Sequence, residues 1–198
     1  MPHKIASLFL ALLVFAQLSS LADSPPAQIS LTTLDGENIK PLESEQTESD
    51  QYKPSVIIFI TTDCPIANAL APEINRLYQH YHGLGIPFTL VHVDPEISTA
   101  DAKKHARDYS LKPPIVIDRK HQLVKISQAS VTPQCAVFNH KGQLVYSGRI
   151  NNQWTDYGKR RAQATEHNLR DTLDALLAGK TPASDHTTAI GCYIPDLD

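Results

Sequence analysis

Residues 55–82 constrain the fold more than any other stretch of the chain. Val56-Ile57-Ile58-Phe59-Ile60 is an unbroken apolar run. A short run rich in β-branched residues and bounded by turn chemistry predicts a strand buried on both faces. After Thr61-Thr62-Asp63 and Cys64-Pro65, apolar side chains recur at Ile66, Leu70, Ile74, Leu77 and Tyr81. Those steps of three and four residues predict an amphipathic helix. Cys64 therefore stands where a strand ends and a helix begins. Pro65 suits the first helical turn, where its missing N–H is not needed.

That position bears on the chemistry of the sulfur. A helix begins with unpaired N–H groups and the positive end of its dipole. A thiolate there is stabilised, and cysteines so placed have pKa values lowered from about 8.5 toward roughly 3.5–7.5. Cys64 is the candidate nucleophile. The alternative is a buried, inert cysteine.

The rest of the pattern builds a sheet around this unit. Gln28 to Leu34 predicts a strand, Asp35-Gly36 a hairpin turn, and Asn38 to Lys40 the returning arm. Pro41 to Lys53 is polar and acidic, a surface loop. Pro72 falls inside the helical pattern, where it should kink the helix, and Gly83 predicts a left-handed cap. Phe88 to Val93 is a second buried strand. Ser98, with Asp101 three residues on, opens a helix through Tyr109, close to a capping box. Ile115-Val116-Ile117 is a third strand, and Val124 to Ala129 a short helix. Thr132-Pro133 is a turn before the strand Cys135 to Phe138, which returns through Leu144 to Ser147. Ile150 to Ala164 reads as a polar loop. Thr165 caps a helix with Leu169, Leu173, Leu176 and Leu177 on its apolar face, and the tail from Lys180 is irregular. Strands alternating with helices, closed by a hairpin, predict an α/β fold with a central mixed β-sheet flanked by helices.

Composition limits the function. The 198 residues suit one domain with extensions, and a hydrophobic content of 41% allows an ordinary core. A net charge of -3 without a Lys/Arg cluster argues against nucleic acid. His3-Lys4, the apolar run Ile5 to Leu18 and the small residues of Ser20-Leu21-Ala22 form a secretory signal pattern over residues 1–22. That run is short for a membrane span of about 20 residues, although an uncleaved anchor is the alternative. The chain is thus expected in the periplasm or outside the cell, with no membrane span after cleavage. Its domain is expected over residues 23–180, and a tail carrying a cysteine over 181–198. The three cysteines, Cys64, Cys135 and Cys192, are an odd number. In an oxidising compartment this favours redox chemistry over a structural framework.

Taken together, these features resemble the thioredoxin superfamily on its peroxiredoxin-like (redoxin, AhpC/TSA-type) side. The strand leading to Thr-Thr-Asp-Cys64-Pro65, the internal Pro72 and Thr132-Pro133 before a terminal hairpin all match. Gly148-Arg149-Ile150-Asn151-Asn152, Leu176 to Lys180 and Gly191-Cys192-Tyr193-Ile194 are similar to an exported group with three separated cysteines. The resemblance implies a thioredoxin-like fold and a cis Pro133 beside Cys64, although cis is a state of only about 5–6% of X–Pro bonds. It also places Arg149 near the edge of the site, where a solvated arginine is the alternative. Three departures stand out. Position 67 is Ala, so there is no Cys-x-x-Cys. Ile57 stands where peroxiredoxins carry proline ahead of Thr61. Val131, not cysteine, precedes Thr132-Pro133.

The chemistry expected is thiol-disulfide exchange or peroxide reduction, with a thiol/disulfide protein partner or a peroxide as substrate and no cofactor. Either reaction leaves an oxidised sulfur that must be resolved. Cys192, beyond the last helix and after a glycine, is the expected resolver, on a tail able to reach and retract. A static Cys64–Cys192 disulfide is the alternative. Thr61 is placed to bond the thiolate or orient a peroxide, with a purely structural strand-end threonine as the alternative. Cys135 is either a second thiol or, the reading preferred here, a core residue opening an apolar strand. A copper-binding module is a further alternative, since Cys192 and His186 share the tail. Asn68, however, stands where copper proteins of this fold have a second cysteine. His80 and His82 do not share a helix face, and His92 lies within a strand. A catalytically silent module of the same fold is the remaining alternative.

Overall fold

The structure is a computed structural model that describes residues 29–43 and 53–197. The expected signal segment lies outside the described residues, as does most of the acidic loop. In chain order the elements are β1 (Leu31–Thr32), β2 (Asn38–Ile39), β3 (Ser55–Ile60), α1 (Pro65–His82), β4 (Phe88–His92), α2 (Thr99–Asp108), β5 (Ile115–Ile117) and α3 (Gln122–Ser127). They continue with β6 (Val131–Thr132), β7 (Gln134–Phe138), β8 (Leu144–Gly148), β9 (Trp154–Asp156), β10 (Lys159–Arg160), α4 (Asn168–Leu177) and β11 (Cys192–Tyr193).

The apolar run forms the centre of a five-stranded sheet, ordered β5-β4-β3-β7-β8. β3 lies parallel to β4, and β4 to β5, while β7 runs antiparallel to both β3 and β8. All six residues of β3 are buried. Alternate side chains leave opposite faces of a strand, so β3 divides the core in two. Val56, Ile58 and Ile60 pack with Ile66, Leu70 and Ile74 of α1 and with Leu169 and Leu173 of α4. Ile57 and Phe59 meet Val91, Val116, Phe138 and the α3 residues Leu123 and Val124. The Tyr81 hydroxyl donates to Asp174 Oδ1 at 2.6 Å and to the Arg170 carbonyl at 3.1 Å, tying α1 to α4. The central mixed sheet flanked by helices is the architecture expected.

Several local expectations are corrected. The first strand is only two residues long. Beyond it Thr33 bridges to Val116, and the Leu34 amide donates to Ile115 O at 2.9 Å, so the chain leaves its hairpin to cover the β5 edge. Gly83 stays right-handed, with φ of -60°. The chain runs on by a further turn, and Gly85, at φ +79°, takes the left-handed position while the Ile86 amide returns to Tyr81 O. α1 continues through Pro72 to His82. The last helix starts at Asn168 rather than after Thr165, because the Thr165 and Glu166 amides donate to Asn152 Oδ1 at 2.8 and 3.1 Å. The polar loop contains the β9–β10 hairpin. The tail is not irregular throughout: β11 pairs antiparallel with β6.

One buried group makes the fold sensitive to acid. His92 ends β4, shares a face with Phe88 and Leu90, and is fully buried. Burial, with His105 beside it and the Asp94 carboxylate opposing, holds its pKa at about 4 against an ordinary 6.5. The unfolded chain therefore binds a proton below about 6.5 that the folded chain refuses until about 4. Stability is whole above that range and declines as the pH falls through it, by about 3 kcal/mol. Urea midpoints near pH 7 and near pH 4.5 measure the loss, which His92→Phe should reduce.

Candidate active site

Cys64 is the N-cap of α1, with φ -79° and ψ 106°, and Pro65 follows at the first helical position. The extended run of β3 stops at Ile60, and Thr61-Thr62-Asp63 turns the chain into the helix. The sulfur thus faces the unpaired amides of the first turn. The Ala67 amide donates to Cys64 Sγ at 3.4 Å. The thiol itself lies 2.8 Å from the Thr132 carbonyl and donates to it. The Thr132–Pro133 peptide is cis, as the resemblance implies.

The structure brings Cys192 to the same sulfur. In the β11–β6 pair Cys192 stands opposite Thr132, and Tyr193 opposite Val131. The expectation of a loose tail is corrected: residues 185–194 form a strap bonded along its length. The Ser147 amide donates to Asp185 O at 2.9 Å, and Thr187 Oγ1 accepts from the Arg149 amide at 3.1 Å. The Ile194 amide donates to Ser130 O at 2.9 Å. The Tyr157 hydroxyl, at the tip of the β9–β10 hairpin, donates to the Gly191 carbonyl. Cys64 has no surface open to solvent, and Cys192 is half-buried above it. All three cysteines are free thiols.

The two sulfurs are unequal. Burial pushes the Cys64 thiol up, but the Cys192 side chain, the Ala67 amide, the Thr132 hydroxyl and the Cys192 amide together bring it below the ordinary thiol value. Cys192 moves the other way, to about 12, through burial, its bond to the Cys64 sulfur and the negative charge of Cys64 and Asp63. Of the two, Cys64, facing the helix amides, gives up its proton more readily, and Cys192 holds its own more tightly. The Thr132 carbonyl opposes ionisation, since it can only accept, but the donors around the sulfur outweigh it.

The other expected site residues stand further off. Thr61 Oγ1 lies 3.2 Å from Thr132 Oγ1 and reaches the sulfur only through that hydroxyl. Arg149 is neither free in solvent nor aimed at the thiol: its guanidinium bonds Glu166 at 2.6 Å and Asn168 at 2.9 Å, fastening the start of α4. Cys135 faces the core opposite Ile58, and its thiol donates to Gly148 O at 3.3 Å. Burial drives its pKa far upward, so it sits in the core position rather than as a second reactive thiol. Alkylation of the native chain should leave Cys135 unmodified until denaturant is added, which peptide mass mapping reads directly. Among the described residues no group of three or more His, Cys, Asp or Glu is arranged to hold a metal ion. Tyr157 escaped the sequence reading, and Thr132 and Gly191 entered it only as members of the Thr132-Pro133 and Gly191-Cys192-Tyr193-Ile194 motifs, with no role of their own.

Two parallel β-α units joined to an antiparallel hairpin, with a cysteine capping the first long helix against a cis proline, define the thioredoxin fold. The sequence matches the AhpC/TSA family over residues 25–147, and the chain belongs to that family. Among solved structures it is similar to an uncharacterized conserved protein from Geobacillus kaustophilus, at 25% identity and a TM-score of 0.69, over 88% of this chain and 92% of that one. A hypothetical protein from Sinorhizobium meliloti 1021 matches at 23% identity and a TM-score of 0.65, over 89% and 95% of the two chains. StoA from Bacillus subtilis shares the fold at 22% identity and a TM-score of 0.52, over 62% of this chain and 87% of its own. No curated protein sequence matches. The chain thus falls within a thioredoxin-like redox family, and no helix among the described residues is long and apolar enough to cross a membrane.

Proposed function

We propose that this protein is an exported thiol-dependent oxidoreductase in which Cys64 attacks and Cys192 resolves. The observation that carries the reading is the β11–β6 pairing, which sets Cys192 opposite Thr132, the residue whose carbonyl takes the Cys64 thiol at 2.8 Å; the downward shift of the Cys64 pKa and the upward shift of Cys192 support it. With a disulfide substrate, the Cys64 thiolate displaces one sulfur as thiolate and forms a mixed disulfide. Cys192, losing its proton to the departing thiolate, then attacks Cys64 and expels the second sulfur. The substrate gains two electrons and one proton from the chain, the second thiolate takes its proton from solvent, and the chain is left with a Cys64–Cys192 disulfide. An external dithiol restores it.

Membership of the AhpC/TSA family favours a second substrate, a peroxide. Cys64 would break the O–O bond, releasing an alcohol or water and leaving a sulfenic acid, which Cys192 condenses to the same disulfide with loss of water. Export follows from the pattern over residues 1–22 and from the oxidising compartment such a dithiol pair would serve. The domain is proposed to extend from residue 23 to 180, with residues 181–198 serving as the resolving strap.

The stoichiometry with a coloured aromatic disulfide tests the assignment. Reduced wild-type chain should release two thiolates. Cys192→Ser should release one and retain a mixed disulfide on Cys64. Cys64→Ser should release thiolate only slowly, from a Cys192 that lacks the helix amides and whose pKa burial and Asp63 still raise. Equal, slow release by all three would overturn the reading.

A further inference from the structure

A second polar assembly lies behind the thiol, and the steps described so far do not use it. It begins at Asn68, one turn into α1. The Asn68 backbone amide donates to Cys64 O at 3.0 Å, and its side-chain Nδ2 donates to Thr62 O at 2.9 Å. One residue therefore holds both the cap residue and the turn that delivers it. Asn68 is itself held: its Oδ1 lies 2.8 Å from His105 Nε2 on α2. Behind it, His105 Nδ1 lies 3.4 Å from His92 Nε2, and the two rings are tilted 66° at a centroid distance of 5.1 Å. Both histidines are buried.

Chemistry fixes the direction of this chain. Asn68 spends its NH₂ group on Thr62, so its oxygen must accept, and His105 Nε2 must carry the proton. His105 Nδ1 is then a bare acceptor, which makes His92 Nε2 a donor. His92 Nδ1 is left without a proton, and it is a buried nitrogen with no hydrogen-bond partner among the described residues. A buried polar atom without a partner is costly. Leucine at position 92 would have filled the space without that cost. The orphaned nitrogen is the consequence of a chain whose donors all run outward, from β4 through α2 to the turn beside Cys64.

We propose that His92, His105 and Asn68 are positioning residues for Cys64: a one-way hydrogen-bond chain that sets the Thr62–Cys64 turn, and so the aim of the α1 amides at the sulfur. This rests on the reading of Cys64 as the nucleophile. The groups facing the chain are few. His105 meets the ring of Tyr109 at 5.1 Å and feels the Asp108 carboxylate; His92 feels Asp94.

The test uses the reduced full chain and two NMR readouts. Ring ¹⁵N shifts should identify both His92 and His105 as neutral Nε2–H tautomers at neutral pH. The Cys64 ¹³Cβ shift, followed against pH, gives the midpoint of its ionisation without relying on access to the sulfur. Asn68→Ala should raise that midpoint by about one unit, a tenfold loss of thiolate below it. His105→Leu should do the same, and His105→Gln, whose amide can still donate to Asn68, should restore most of the loss. Asn68 is partly exposed, so its variant is expected to fold even where His105→Leu does not. An unchanged Cys64 midpoint in Asn68→Ala, or an Nδ1–H tautomer at His92, would overturn the proposal. A wild-type midpoint in the ordinary thiol range would instead sink the nucleophile reading, and the tautomers and the Asn68→Ala shift would still decide the relay.

Discussion

Cys64→Ser is expected to lower the rate of disulfide or peroxide consumption by at least about 10³-fold while leaving the fold in place. The loss is large because no other sulfur can substitute. Cys135 is sealed in the core with its proton bound to Gly148 O. Cys192 stands away from the helix amides, and with Cys64 gone burial and the Asp63 carboxylate still hold its pKa up. Removing a nucleophile forfeits the covalent route altogether and leaves only what binding and positioning supply. Serine keeps a hydroxyl able to donate to the Thr132 carbonyl, as the thiol does at 2.8 Å. The change in stability should therefore stay within about 1 kcal/mol. Unfolding midpoints and consumption rates on the same preparations separate the two effects. A serine variant that retained a tenth of the activity would show that Cys64 is not the attacking group.

Gly191→Ala is expected to produce the second large effect, by dislodging the strap. A Cβ at Gly191 would stand 2.1 Å from the Thr132 carbonyl oxygen, 2.6 Å from its carbon and 3.1 Å from Pro133 N. All three are backbone atoms, and none can swing aside. β11 would have to leave β6, carrying Cys192 away from Cys64 and breaking the Tyr157 bond to the Gly191 carbonyl. Intramolecular attack depends on sulfurs held within reach, so closure of the Cys64–Cys192 disulfide should slow by about 100-fold. Cys64 should at the same time alkylate faster, because its cover is gone. Its pKa should also rise, because two of the groups that lower it, the side chain and the amide of Cys192, belong to the strap. Both cores centre on β3, α1, α3 and α4, and the strap adds only the partly buried Ile190, Cys192 and Ile194 at their edges, so the thermal midpoint should fall only modestly. The combination of slower closure with faster alkylation of Cys64 alone is the signature; alkylation of Cys135 as well would point to general unfolding.

The centre of the molecule was legible from its sequence because local pattern and tertiary role coincide there. Val56 to Ile60 is apolar without interruption since both faces of β3 are covered, and the spacing from Ile66 to Tyr81 marks the face of α1 that meets it. Where a side chain far along the chain decides the outcome, the pattern misleads. Thr165 looked like a helix cap, but Asn152 captures its amide and delays α4 to Asn168. Gly83 looked like the turning point after α1, but a second glycine two residues on supplied a better one. The site divides in the same way. Cys64 and Pro65 announced themselves through position, whereas the cis state of Pro133 followed only from resemblance. The strap was hidden because β11 is two residues long and its bonds run to Ser130, Thr132 and Ser147. No periodicity marks such a segment. The His92–His105–Asn68 chain spans three elements, and only the fold brings those residues together.

Disulfide mapping by mass spectrometry of the reduced chain, treated with one equivalent of peroxide or of a small disulfide, tests the central claim most directly. The expected product is a single intramolecular Cys64–Cys192 link, with Cys135 still a free thiol. A link from Cys64 to Cys135, or a Cys64 that remains a thiol while Cys192 is oxidised alone, would contradict it.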